Sequence, residues 1–173
     1  EPLIVKWPGV IEPGSVERTP VQSIDFYPTL LDAAGVADLD GHTVDGESLM
    51  PLLRGDAQVW TRDTLYWHYP HYANAGSTPT GSIRRGDWKL IEFFEDSHVE
   101  LYHLAEDPSE STDRAAEQPD QAAELQAALA QWRAQVDALP APPNPDYDPA
   151  RAKERKGYAY HPVWNPADPI RND

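Results

Sequence analysis

The sequence predicts an α+β fold: a four-stranded antiparallel sheet packed on one long helix. Three observations predict it. Four short runs rich in aromatic and β-branched residues fall between Thr64 and Leu104, separated by turn residues. One long stretch, Pro119 to Leu139, then repeats apolar residues at steps of four and three. A much earlier run, Leu3-Ile4-Val5-Lys6-Trp7, is nearly all apolar and far from the others, so it belongs to a different sheet.

That opening run reads as a short buried strand ended by a turn at Pro8-Gly9. A near-continuous apolar run suits the edge of a parallel sheet covered on both faces, and the chain barely supplies such a sheet. Its partners are expected upstream of Glu1. The chain also starts without Met or any signal-like segment, so a fragment or processed piece is expected.

Asp25 to Ala34 reads as a helix. Asp25 suits the N-cap, Pro28 falls in the first turn, and Gly35 is placed to terminate. Tyr27, Leu30, Leu31 and Ala34 share one face. Leu49 to Leu53 makes a brief second apolar element closed by Arg54-Gly55.

The four strands are Thr64–Tyr69, Ser82–Arg85, Trp88–Phe94 and His98–Leu104, with turns at Gly86-Asp87 and around Asp96. Trp88, Leu90 and Phe94 lie on one face, Ile91 and Phe93 on the other beside Lys89. Apolar residues on both faces imply two covers, one of them the helix that follows. That helix starts at Pro119 with Asp120 favourable to its dipole, and its stripe is Leu125, Leu129, Trp132, Val136 and Leu139. The last 34 residues hold 8 of the 18 prolines, so an extended Pro-rich tail is expected from residue 140 to 173. The boundaries thus fall at 1–60, 61–139 and 140–173.

Composition excludes some functions. A net charge of -15 without clustered Lys and Arg argues against a nucleic-acid partner. No apolar run approaches the ~18 residues of a membrane span. With no cysteine, the segment has no thiolate metal site, disulfide or Cys nucleophile. From Glu92 to Glu124 the only base is Arg114, an acidic belt read as solvated surface. The basic residues between Arg151 and Lys156 are placed to dock on it.

Five motifs in order carry a family resemblance. They are Pro2-Leu3-Ile4-Val5-Lys6-Trp7-Pro8-Gly9; Asp25-Phe26-Tyr27-Pro28-Thr29-Leu30-Leu31; Asp45-Gly46-Glu47-Ser48-Leu49 with Pro51-Leu52-Leu53-Arg54-Gly55; Ile83-Arg84-Arg85-Gly86-Asp87-Trp88-Lys89-Leu90-Ile91; and Glu100-Leu101-Tyr102-His103-Leu104 with Asp107-Pro108-Ser109-Glu110. Over residues 2 to 139 the chain resembles the C-terminal portion of the type I, formylglycine-dependent sulfatases. The resemblance implies an alkaline-phosphatase-like fold, of which this chain would hold the C-terminal antiparallel subdomain plus a terminal strand and helix of the large α/β domain. One departure is Asp113-Arg114, where the family often has Asn-Leu, so local packing there is expected to differ.

The resemblance also implies hydrolysis of sulfate esters by a hydrated formylglycine, with a calcium ion neutralising the sulfate oxygens. Neither a Cys/Ser-x-Pro-x-Arg motif nor a paired-Asp strand end is present. Calcium and formylglycine are therefore expected in an N-terminal catalytic domain of the same chain, and this segment is expected to be inactive alone. The family suggests a periplasmic or secreted protein.

The candidates for substrate contact are His68 and His71, in the run Tyr66-Trp67-His68-Tyr69-Pro70-His71-Tyr72. Aromatic rings stack on sugar faces, and imidazoles hydrogen-bond hydroxyls or an anionic sulfate. The substrate would be a sulfated small molecule or carbohydrate. Packing by the aromatics with the histidines as polar tips is the equal alternative; a His-x-x-His metal site lacks further ligands. Arg84, Arg85 and Lys89 could neutralise an anion, but pairing with local acids is the commoner fate. Two other functions remain open: phosphate or phosphonate ester hydrolysis on the same fold, and a non-catalytic sugar-binding module.

Overall fold

A computed structural model of the chain describes residues 2–36, 43–72, 78–139 and 145. They divide into two compact units, residues 1–63 and 64–173.

In the first unit, residues 3–7 run without a strand partner, and Ile4 is 90 % exposed. The strand expected there does not form, because a ladder needs a neighbour and the described residues of this unit contain no other strand. The turn after it does form, with the Val10 and Ile11 N–H groups donating to the Trp7 carbonyl. A 3-10 turn at Ser23–Asp25 leads into helix α1, Phe26–Ala33. Gly35, at φ 67°, ends it as expected, and the Val36 N–H closes back on the Leu31 carbonyl at 3.0 Å. The predicted apolar stripe is not buried: Tyr27 and Leu30 are exposed, and Thr29 is the buried residue of α1. A stripe turns inward only where a second surface covers it. Helix α2, Met50–Leu53, ends the same way at Gly55, φ 84°. The Thr29 hydroxyl ties the two helices, accepting the Leu49 N–H at 2.8 Å and donating to the Asp25 carbonyl.

The second unit holds the predicted sheet. Strands β1 (Thr64–Tyr69), β2 (Thr80–Arg85), β3 (Trp88–Phe93) and β4 (Val99–His103) pair antiparallel in sequence order. Gly86, φ 56°, makes the two-residue turn between β2 and β3. Helix α3, Pro119–Gln135, covers one face. Ile83, Leu90 and Leu101 meet Ala122, Leu125 and Leu129 in a closed core, with Tyr66 stacked on Trp132 at 4.8 Å. Burying each of the leucine and isoleucine side chains stabilises the fold by about 1.5–3 kcal/mol.

The helix is shorter than its periodicity predicts. It stops at Gln135 rather than Leu139, so Val136 and Leu139 leave the stripe and are exposed. Asp137 takes a left-handed φ of 49°, and the Ala138 N–H returns to the Arg133 carbonyl at 3.0 Å. This six-to-one closure is the same helix stop that the glycines supply elsewhere, here made by an aspartate. The proposed tail lies outside the described residues, apart from Pro145.

Asp113-Arg114 has a clear local role. The Asp113 carboxylate accepts the Leu101 and Ala115 N–H groups, while the Arg114 N–H donates to the Leu101 carbonyl. Together they satisfy both backbone groups of Leu101 on the outer edge of β4, which would otherwise be unpaired.

Candidate functional site

Strand alternation decides where the aromatic–histidine run points. On β1, Tyr66 and His68 face α3, whereas Trp67 and Tyr69 lie on the opposite face and are exposed. His68 and His71 are therefore not a pair.

His68 stands at the corner where β1, the end of β3 and the exit of α3 meet. Its Nε2 lies 2.7 Å from the Leu139 carbonyl oxygen. A carbonyl can only accept, so Nε2 carries the proton in that contact. Its Nδ1 is buried without a hydrogen-bond partner, and the ring packs against Phe94 at 5.4 Å. The residue opposite on β2 is Gly81, where an added Cβ would come within 3.1 Å of both Phe94 and Arg133. Arg133 lies over the Phe94 ring and donates to Glu92 at 2.5 Å. The corner is thus filled by packing and one ion pair.

His71 is exposed just beyond β1, its ring edge-on to Tyr69 at 5.5 Å. Nearby in sequence, the Tyr72 hydroxyl donates to Glu95 at 2.5 Å. Tyr69, His71 and Tyr72 therefore present rings to solvent at one end of the sheet. Rings with a polar edge suit a hydroxylated, apolar-faced ligand such as a pyranose.

The cations of the hairpin are engaged locally. Arg85 pairs with Glu124 of α3 at 2.9 Å, Lys89 with Glu110 at 2.7 Å, and Arg84 donates to the Gly86 carbonyl. Members of the acidic belt are thereby neutralised one by one: Glu92, Glu106, Glu110 and Glu124 each face a base. The basic tail segment proposed to dock on this belt lies outside the described residues. His98 stacks on Phe93 and bonds to Asp96, holding that carboxyl below its ordinary range. His103 packs edge-on to Trp88.

Sequence reasoning missed a second buried polar centre, in the first unit. Asp25 is fully buried, and Arg62 donates to both its oxygens, at 2.7 and 2.6 Å. The Gln22 and Glu47 N–H groups complete its shell. Burial pushes this carboxyl up, but the Arg62 bonds and the two N–H donors outweigh it and leave it below the usual range. The only signal in the sequence was Asp25 itself, read there as a helix cap.

Among the described residues, no three His, Cys, Asp or Glu side chains converge as a metal ion would need. Among the described residues no carboxylate cluster fits calcium, and with no cysteine the chain does not fit a cysteine-derived formylglycine.

Comparison with known proteins places this geometry in a setting. Residues 1–137 match the family described as N-sulphoglucosamine sulphohydrolase, C-terminal. A sulfatase of Formosa agariphila is 43 % identical over 130 residues, covering 69 % of this chain and 23 % of that protein. An N-acetylglucosamine-6-O-sulfatase of Bacteroides thetaiotaomicron is 34 % identical over 113 residues, covering 63 % and 20 %. Among solved structures, BT4656 in complex with its substrate D-glucosamine-2-N,6-O-disulfate superposes with a TM-score of 0.57 at 33 % identity, covering 69 % of this chain and 25 % of that one. The chain spans a quarter or less of the length of each.

Proposed function

The chain belongs to the N-sulphoglucosamine sulphohydrolase C-terminal family, and from that premise we propose that it completes a sulfatase acting on sulfated amino sugars. The family match over residues 1–137 carries the reading. Two relatives sharpen it, since their names specify glucosamine derivatives bearing sulfate at oxygen 6 or at nitrogen and oxygen 6.

The reacting groups of such an enzyme would lie on the rest of the protein. Formylglycine and calcium, when bound there, supply the nucleophile and neutralise the sulfate. This chain would act by closing the fold around an N-terminal catalytic domain and bordering the substrate pocket with the run that holds His68 and His71. The exposed Tyr69 and His71 rings support that role, offering a stacking surface and an imidazole within one short segment.

Release of inorganic sulfate from glucosamine 6-O-sulfate, glucosamine N-sulfate and an aryl sulfate, measured on the full-length protein, tests this. Amino-sugar sulfates should be turned over fastest, and the isolated chain should release none. Faster cleavage of a phosphate or phosphonate ester would replace the reading with its superfamily rival.

A further inference from the structure

We infer that the two histidines divide their labour: His68 is a positioning residue that latches β1 to the exit of α3, and His71 is the specificity-determining contact. Neither of His68's ring nitrogens is open to solvent on the side of a ligand: one is bonded and the other is enclosed. Nε2 donates to the Leu139 carbonyl, 71 residues away in sequence, and Nδ1 is enclosed without a partner. Neither atom can turn to a ligand without breaking the corner.

The latch joins the ends of two elements that need it. Asp137 reverses the chain after α3 through its left-handed backbone, and two residues later the Leu139 carbonyl has left the helix with no intrahelical donor. His68 satisfies that carbonyl and fixes the last residues of β1, immediately before Pro70 and His71. The packing of Phe94 between His68 and Arg133, above the Cβ-less Gly81, holds the imidazole in this orientation. His71, three residues on, is exposed with its ring edge-on to Tyr69 and available to a sulfated pyranose. The ligand half of this inference rests on the amino-sugar sulfatase reading.

The test uses the full-length protein with three variants, His68→Ala, His68→Gln and His71→Ala. Each is assayed for KM, kcat and thermal unfolding. Gln places an amide N–H where the imidazole Nε2–H stood, so it keeps the latch and removes the ring. His68→Ala should lower the unfolding midpoint and raise KM, and His68→Gln should restore both to within about twofold of the parent. His71→Ala should raise KM about tenfold, the loss of one good hydrogen bond, and leave the midpoint unchanged. The inference is overturned if His68→Gln is as impaired in KM as His68→Ala while the midpoint of both is unchanged, which would make His68 a substrate contact. It is equally overturned if His71→Ala shifts the midpoint and not KM. A protein that released no sulfate would remove the functional reading, while the midpoints of the two His68 variants would still decide the latch.

Discussion

Asp25 and Arg62 show how much can rest on one pair. Two charges removed from water cost several kcal/mol each, and only bidentate geometry with further donors compensates. Here both carboxylate oxygens carry an arginine N–H and a backbone N–H. Asp25→Asn leaves the guanidinium unpaired and should cost about 3–5 kcal/mol at neutral pH. Because the folded carboxyl sits below its ordinary value, its contribution is present above pH about 4 and is lost as pH falls through the folded value. Urea unfolding of parent and variant at pH 7 and pH 3 should therefore show a gap that narrows in acid; a constant gap would refute the linkage. Gly46 lies beside the same pair, and an added Cβ would stand 2.2 Å from the Ile24 carbonyl oxygen. The atoms met are all backbone of the Ile24–Asp25 peptide, which cannot yield cheaply, so Gly46→Ala should destabilise by about 1–3 kcal/mol in the same assay.

At the scale of elements, stop signals matter as much as periodicity. Gly35 and Gly55 end α1 and α2 in left-handed backbone that costs glycine little, whereas α3 uses Asp137. An aspartate there bears the strain of positive φ and places a negative charge at the negative end of the helix. Asp137→Gly should raise stability by about 0.5–1 kcal/mol, read as a higher thermal midpoint. Leu129→Ala, by contrast, empties a fully buried site on the same helix and should cost about 2–5 kcal/mol. The contrast explains what the sequence could disclose. All four strands were legible because alternation and the Gly86-Asp87 turn act within a few residues, and α3 began where Pro119 said it would. Its end was not, since Val136 and Leu139 continue the stripe and nothing local marks Asp137 as left-handed. His68 and His71 were visible as candidates, but their separation was not. Telling them apart needs the Leu139 carbonyl and the face that α3 covers, contacts between residues far apart in sequence. The Asp25–Arg62 pair was hidden for the same reason.

At the scale of the molecule, the two units differ in how far their apolar surface is satisfied. The sheet unit closes a core of its own between the strands and α3. The first unit leaves Leu3, Ile4, Val5, Phe26, Tyr27 and Leu30 exposed, Leu30 by 68 %. So many exposed apolar side chains in one small unit mark a surface built to be covered. The curated relatives are about four to five times longer than the part matched here, since that part is 23 % and 20 % of their lengths. If, as proposed, this chain completes a larger sulfatase, the rest of that protein would be the cover, and the same substitutions should then have opposite effects in two settings. In the isolated chain, Ile4→Lys with Leu30→Lys replaces two exposed apolar side chains with hydrated ones and leaves the molecule strongly acidic. Light scattering should show less self-association, with the unfolding midpoint of the sheet unit unchanged. In the longer protein those positions would be buried, and two unpaired ammonium groups would lower its midpoint. If both settings respond alike, the surface is not covered by the rest of the chain, and the unpaired run at Leu3–Trp7 would need another partner.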